Sequence, residues 1–212
     1  MDAKLLLDRR LEEYDYELLG QAVVNGYKAC DDLFNKNVVL GEFVLGRDYR
    51  PRLISLFVEH SLSRIAASNI GWESNIKYND AGNCLHLRLS KEGIIFTSHF
   101  MGQKKFRPMA RKAGNRESLA SRNGDLFAHE ASSVEFCGNN GIAYCHIRHG
   151  GKQVPEHLFL AIPNRSQSGS IGAAYELPKP SPQKIEVEEI EDEVRLELQE
   201  QVENVKKQRG LG

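Results

Sequence analysis

The segment from residue 104 to residue 122 concentrates side chains that could bind phosphate. Seven of its residues are basic and only Glu117 is acidic, although the whole chain of 212 residues carries a net charge of −1. Arginine makes fork-like contacts with phosphate oxygens, and lysine adds a point charge. We therefore predict a nucleic-acid-binding surface, although a solvated charge cluster or a site for an acidic protein would have the same composition. The predicted surface consists of Lys104, Lys105, Arg107, Arg111, Lys112, Arg116 and Arg122.

Two histidines flank this basic segment and are candidate catalytic residues. His99 ends an apolar strand just before the segment, and His129 follows it. An imidazole beside a bound phosphate can act as a general acid or base, whereas the plainer interpretation of His99 is a polar strand end. Over eight residues, Arg122 to His129 resembles the Arg-x6-His motif of the HEPN ribonucleases. The resemblance implies metal-independent RNA cleavage, but that family is all-helical and strands are predicted on both sides of this segment.

Four further side chains have the chemistry of zinc ligands: Cys84, His86, Cys137 and Cys145. Cys84 and His86 share one face of a predicted strand, but a structural zinc usually takes four protein ligands. A predicted hairpin with its turn at 138–141 would place Cys137 and Cys145 on opposite faces. We therefore predict no metal site, and we expect no cofactor.

The elements that would position these residues follow from hydrophobic periodicity. Apolar residues spaced by three or four predict helices over 2–35 and from Pro51 to about Asn69. Gly20 and Gly26 are poor helix formers and are predicted to divide the first of these segments. A three-strand meander follows between Ile76 and Phe100, and further strands extend to Pro163. The pattern predicts an α+β fold with N-terminal helices packed on an antiparallel sheet of five or six strands.

The composition of the chain changes after residue 163. We predict a core domain at 1–163, a Ser/Gly/Pro-rich linker at 164–184 and an acidic amphipathic helix at 185–212. Between residues 184 and 212 there are nine acidic and five basic side chains, a net charge of −4, so the remainder carries +3. An apolar stripe on the helix predicts a protein partner or self-association through 185–208. The partner-binding residues would be Val187, Ile190, Val194, Leu198 and Val202.

Composition also bears on cellular location. No apolar run approaches the roughly 20 residues of a membrane helix, and the N-terminus does not have the pattern of a secretory signal. Four scattered cysteines are too few for a disulfide framework in a chain of this length. We therefore expect a cytoplasmic protein with reduced thiols and no membrane association.

Three functions remain open at this point. The first is a small nucleic-acid-binding protein that acts through residues 104–122. A toxin-like or mobile-element effector is one protein of this kind. The second is a protein-binding inhibitor or adaptor that acts through the acidic C-terminal helix. The third is a metal-independent nuclease, so the sequence leaves open whether the protein is an enzyme.

Overall fold

The chain runs through three helices, three strands, a short helix and three more strands within its described part. The computed structural model describes residues 3–37, 40, 42, 44–78, 85–102, 114–123, 142–163 and 171–182. The helices are α1 (Ala3–Asp8), α2 (Glu13–Lys36), α3 (Val44–Ser68) and α4 (Gly114–Ala120). The strands are β1 (Glu73–Tyr78), β2 (Leu85–Lys91), β3 (Ile94–Phe100), β4 (Tyr144–Gly150), β5 (His157–Pro163) and β6 (Ile171–Glu176).

The six strands form one mixed sheet, and their order in it follows the sequence from β1 to β6. Four of the neighbouring pairs are antiparallel, as predicted, while β3 and β4 run parallel. A parallel pair needs a crossover connection of about a dozen residues or more. The chain between β3 and β4 covers 101–143 and contains α4, so it is long enough for that crossover. The predicted α+β class and the three-strand meander β1–β2–β3 are confirmed, and the parallel pair is the departure from the predicted sheet.

One face of the sheet carries the apolar core and packs against α2 and α3. Along β2 and β3 every second residue enters this core, as Leu87, Leu89 and Phe96 do. This alternation is expected because successive strand residues point to opposite faces. Core members from the helices and from β4 and β5 include Leu19, Tyr27, Val58, Leu62, Ile147 and Leu160.

α2 continues through both of its glycines, so the prediction that Gly20 and Gly26 divide the segment is wrong. The first helical segment is instead interrupted at 9–12, between α1 and α2. A Cβ atom on Gly26 would lie 2.6 Å from the Cα atom of Val58 in α3, and one on Gly20 would lie 2.1 Å from the carbonyl oxygen of Pro178. These glycines therefore permit close backbone packing rather than ending the helix.

α3 begins at Val44 and includes Pro51, where the sequence pattern predicts the start of the helix. A proline inside a helix removes one backbone hydrogen bond and costs about 3 kcal/mol. Helical stability in proteins comes mostly from tertiary packing, and α3 contributes Ile54, Val58 and Leu62 to the core. Packing therefore explains why the helix extends past the local signal.

The sheet extends into the segment predicted as a linker. β6 lies within 164–184 and pairs with β5. Leu177 follows it, is buried, and donates its backbone N–H to the carbonyl oxygen of Leu158. The core therefore reaches beyond the predicted boundary at residue 163. The predicted helix at 185–212, with its stripe of Val187, Ile190, Val194, Leu198 and Val202, lies outside the described residues.

The turn and the first strand of the predicted hairpin around 138–141 lie outside the described residues. Its second strand corresponds to β4, which pairs with β3 and, from His146 onward, with β5 as well. The local Asn–Gly turn signal is sound chemistry, but it does not identify these two partners of β4.

Candidate functional site

The sheet face turned away from α2 and α3 carries polar side chains near its centre. Cys145 and Ile147 of β4 belong to the apolar core. Tyr144, His146 and Arg148 alternate with them and therefore project from the opposite surface. We call this surface of the sheet the polar face.

The parallel pairing of β3 with β4 brings further polar side chains to the same place. Thr97 is aligned with His146, and His99 is aligned with Arg148. Phe96 enters the core, so Thr97 and His99 project from the polar face. We define the central cluster as Thr97, His99, Tyr144 and His146.

Thr97 connects the members of the central cluster. Its Oγ1 atom lies 2.7 Å from Nε2 of His99 and 2.8 Å from the hydroxyl oxygen of Tyr144. The ring centroids of His99 and His146 are 4.5 Å apart, and those of Tyr144 and His146 are 4.8 Å apart. The two histidines therefore form a contiguous pair of rings beside a threonine–tyrosine hydrogen bond.

His146 has an unused hydrogen-bonding atom inside this cluster. The residue is only 4% exposed, and its Nε2 atom has no hydrogen-bond partner among the described residues. A buried polar atom left without a partner costs about 1–3 kcal/mol. Nε2 of His146 is therefore a buried atom of the cluster whose hydrogen-bonding capacity no described residue uses.

Two arginines approach the central cluster from different elements. Nη1 of Arg116, in α4, lies 3.5 Å from Nδ1 of His99. Arg148 is only 3% exposed, and its Nε donates to the sulfur of Met101 at 3.3 Å. The site therefore combines two guanidinium groups with two imidazole rings.

Burial and these cations set the protonation state of the two histidines. Burial, followed by Arg148 and Arg116, lowers the pKa of His146 from 6.5 to about 3. Burial is also the largest cause that holds the pKa of His99 well below 6.5, followed by His146 and Arg116. Both rings are therefore uncharged at neutral pH. Arg116 and Arg148 act in the same direction as burial on both rings.

His149 belongs to the other side of the sheet. Its Nδ1 atom lies 3.2 Å from the hydroxyl oxygen of Tyr27, and its Nε2 atom lies 3.0 Å from Oγ of Ser98. Burial lowers its pKa to about 3. With both ring nitrogens partnered and no exposed surface, this residue is part of the core rather than of the candidate site.

Asn123 attaches the end of α4 to the sheet and so helps to position Arg116. Its Oδ1 accepts the backbone N–H groups of Ala143 at 2.9 Å and Tyr144 at 2.8 Å. Its Nδ2 donates to the carbonyl oxygens of Tyr144 at 3.0 Å and Pro163 at 3.1 Å. The amide is fully buried, and these four bonds use its complete hydrogen-bonding capacity.

We expect Asn123→Ala to destabilise the protein by about 1–3 kcal/mol, because it leaves buried backbone groups unsatisfied. Urea unfolding monitored by circular dichroism would measure the change. Ser121→Ala is the matched control, since the Ser121 side chain is exposed and bonds only locally to the carbonyl oxygen of Ser118. Equal stability of the two variants would contradict the anchoring role of Asn123.

The structure locates only some of the predicted site residues. Arg116 and His99 lie together at the central cluster, whereas Arg122 is exposed in the turn after α4 and makes no described contact with it. The remaining predicted nucleic-acid-binding residues and His129 lie outside the described residues. Those binding residues are Lys104, Lys105, Arg107, Arg111 and Lys112.

Sequence reasoning did not select four members of the site: Thr97, Tyr144, His146 and Arg148. A signal was present, because polar side chains occupy every second position of β4, at Tyr144, His146 and Arg148. The apolar residues Cys145 and Ile147 lie between them. Assigning that strand to a hairpin separated it from β3. The parallel register with β3 is what brings the two sets together.

The possible zinc ligands do not converge in the described part of the chain. Cys145 is buried on the helix side of the sheet. His86 alternates with core residue Leu87 and projects from the polar face, where its Nε2 accepts a hydrogen bond from Nε of Arg88 at 3.0 Å. Cys145 and His86 therefore lie on opposite faces, while Cys84 and Cys137 fall outside the described residues. Where side chains are described, no group of three or more His, Cys, Asp or Glu could hold a metal ion.

A shallow recess opens on the polar face beside Arg148. Its interior has room for about one water molecule. Its lining is apolar apart from two residues, and it consists of Met101, Arg148, His157, Phe159, Ala161, Ile171 and Ala174. Arg148 thus lies between the central cluster and this recess.

None of the helices within the described ranges has the length and apolar character needed to cross a membrane. Comparison of the chain with protein-family models, curated proteins and solved structures finds no match.

Proposed function

We propose that this protein binds nucleic acid through the polar face of its sheet. The observation that carries the proposal is the convergence of Arg116 with His99 at the place where Arg148 also lies. Arg116 belongs to the basic segment predicted from the sequence, and α4 holds it against the sheet. Arginine guanidinium groups are well suited to phosphate because they offer planar, paired donors.

The electrostatics of the site support an anionic ligand. Burial is the largest cause of the low pKa values of His99 and His146, and Arg116 and Arg148 lower both pKa values further. The same two cations favour a negative charge placed next to the rings.

The low histidine pKa values favour binding over cleavage as the proposed activity. Acid–base cleavage of a phosphodiester requires one group that takes up a proton and another that already carries one to donate. Both His99 and His146 are uncharged at neutral pH, so the unliganded pair lacks the acid. Nuclease activity therefore remains a prediction of the sequence, with less support from this geometry.

We expect Arg116→Gln to weaken nucleic-acid binding about 5- to 10-fold at moderate salt, because it removes a phosphate contact. Fluorescence anisotropy with labelled single-stranded and double-stranded oligonucleotides would measure the dissociation constant over a series of salt concentrations. The slope of log affinity against log salt should fall by about 1 for this variant.

Arg52→Gln is the control for overall charge. Arg52 is exposed on α3, on the other side of the sheet, and its guanidinium lies over the ring of Tyr49. The Arg52→Gln substitution therefore removes the same charge without changing the polar face. Binding that is equally affected by the two substitutions, or that does not weaken with salt, would contradict the proposal.

A further inference from the structure

Strand β1 forms one edge of the sheet, and its side chains are open to solvent. It pairs with β2 along its whole length, and no strand within the described ranges pairs with its other side. All six of its residues, from Glu73 to Tyr78, are exposed. A sheet edge of this kind presents backbone N–H and C=O groups that can form hydrogen bonds with a strand of another chain.

The charges on this edge are complementary to themselves. Soluble proteins often protect an exposed edge with a charged side chain, especially lysine. β1 carries one lysine, Lys77, but it also carries Glu73 four residues earlier and therefore on the same face. A lysine alone would repel a second copy of the strand, whereas a lysine and a glutamate can pair with their counterparts in that copy.

Antiparallel geometry limits how two copies of β1 can meet. Alternate residues of a strand direct their N–H and C=O groups to the same side, and opposite residues of an antiparallel pair must match in this respect. Two identical strands related by a two-fold axis therefore align with the axis at a residue rather than between two residues. The longest overlaps cover residues 73–77, with the axis at Asn75, or residues 74–78, with the axis at Ile76.

Only the alignment about Asn75 brings opposite charges together. It places Glu73 of each copy directly opposite Lys77 of the other copy. The alignment about Ile76 instead places Lys77 opposite Asn75 and leaves Glu73 outside the paired residues. Opposite charges directly across an antiparallel pair are stabilising and like charges are destabilising, so the charges favour the axis at Asn75.

The other face of β1 adds exposed apolar surface to the same interface. Ile76 and Tyr78 are 46% and 39% exposed, although they are aligned with Leu87 and Leu85 on the side of the sheet that carries the core. With the axis at Asn75, the Ile76 residues of the two copies are diagonal neighbours about 7–8 Å apart. Pairing therefore removes part of both side chains from water, which favours association.

We propose that two copies of this chain associate through β1, antiparallel and about a two-fold axis at Asn75. The pairing joins the two six-stranded sheets into one continuous sheet. This interface uses none of the central cluster, so it is independent of nucleic-acid binding. It is also distinct from the self-association through 185–208 that the sequence pattern predicts.

Two charge reversals test this alignment in the full-length protein. Lys77→Glu places negative charges opposite each other at both ends of the paired segment, and Glu73→Lys places positive charges there. Sedimentation equilibrium at low salt would measure the dimer dissociation constant. We expect wild type to dimerise reversibly and each variant to dimerise about tenfold more weakly or worse, because two attractive pairs become two repulsive pairs.

Mixing the two variants tests the register itself. In a mixed pair the introduced lysine lies opposite the introduced glutamate, and the remaining Lys77 lies opposite the remaining Glu73. An equimolar mixture should therefore dimerise as strongly as wild type, although neither variant does so alone. Lys152→Glu, at an exposed position in the connection between β4 and β5, is the control for overall charge and should dimerise like wild type.

Three results would overturn this inference. The first is a wild-type protein that stays monomeric at the highest concentration reached. The second is dimerisation that neither charge reversal weakens, which would place the contact on another surface such as 185–208. The third is a loss of dimerisation that mixing does not restore, because the two positions would then not face each other. Glu73 and Lys77 are both exposed, so the variants are expected to fold, and circular dichroism would verify it.

Discussion

Asp15→Ala is expected to destabilise the protein by about 3–5 kcal/mol, because it removes one partner of a buried ion pair. Asp15 is only 1% exposed although it is charged. Its Oδ1 accepts hydrogen bonds from Nζ of Lys91 at 2.6 Å and from Nε1 of Trp72 at 3.0 Å. Its Oδ2 accepts the backbone N–H of Glu12 at 2.9 Å.

These contacts join the first turn of α2 to the sheet on which the candidate site is built. Lys91 is the last residue of β2, and Trp72 directly precedes β1. Removing the carboxylate leaves a largely buried ammonium group and an indole N–H without their acceptor, and desolvated donors of this kind are costly. The large expected effect therefore comes from the groups that remain, rather than from the strength of the pair itself.

Urea unfolding of Asp15→Ala and Asp8→Ala would test this expectation. Asp8 also accepts hydrogen bonds from a lysine and an aromatic residue, Lys4 and Tyr16, but it does so at an exposed position. Exposed ion pairs contribute about 0–1 kcal/mol, so Asp8→Ala should have little effect. A loss below about 1 kcal/mol in Asp15→Ala would show that water replaces the carboxylate and that the site is less well buried than the structure indicates.

Local patterns predicted the elements of this fold better than their pairing. Strand β2 was predictable because its apolar residues alternate, and the meander followed because short turns join its strands. The β3–β4 pair depends on a connection of more than 40 residues, 101–143, so no local pattern indicates that it is parallel. Strand β6 was missed because its sequence, IGAAYE, contains glycine and alanine, which have low strand propensity, and lies in a Ser/Gly/Pro-rich region.

The candidate site was predictable only where it follows the order of the sequence. His99 and Arg116 were predictable as site residues because both lie in or beside the basic segment. Their neighbours His146 and Arg148 are about 30 or more residues away along the chain, and only the sheet register brings them together. The charge of a segment is local information, whereas the arrangement that gives it chemistry depends on tertiary structure.

The second large expected effect is a loss of protein stability in acid. We expect the free energy of unfolding to fall by several kcal/mol between about pH 7 and about pH 4.5, mainly because buried histidines must become charged. His146 and His149 have pKa values of about 3 in the folded protein, lowered by burial from 6.5. The unfolded chain therefore binds more protons than the folded one below pH 6.5. Stability is complete above that value and is lost as the pH falls toward 3, by about 2 kcal/mol for each ring at pH 4.5.

Glu59 opposes this trend because its pKa is shifted in the other direction. Burial raises the pKa of its carboxyl group from 4.5 to about 7, although a backbone hydrogen bond with Leu87 lowers it in part. The folded state therefore binds the proton more tightly than the unfolded chain between pH 4.5 and pH 7. Its contribution is complete below pH 4.5 and is lost as the pH rises through 7, so acidification restores about 2 kcal/mol.

Two substitutions should therefore change the acid profile in opposite directions. His146→Gln removes a ring that resists protonation, so the loss of stability between pH 7 and pH 4.5 should shrink by about 2 kcal/mol. Glu59→Gln resembles the protonated acid at every pH, so the variant should be more stable than wild type at about pH 8 and should show a steeper loss toward acid by a similar amount. Ser121→Ala, at an exposed position without a titratable group, is the control and should leave the profile nearly unchanged. Urea midpoints measured across this pH range would test both expectations. Parallel profiles for wild type and His146→Gln would mean that the ring is already charged or solvated in the folded protein. That outcome would contradict the uncharged imidazole pair on the polar face.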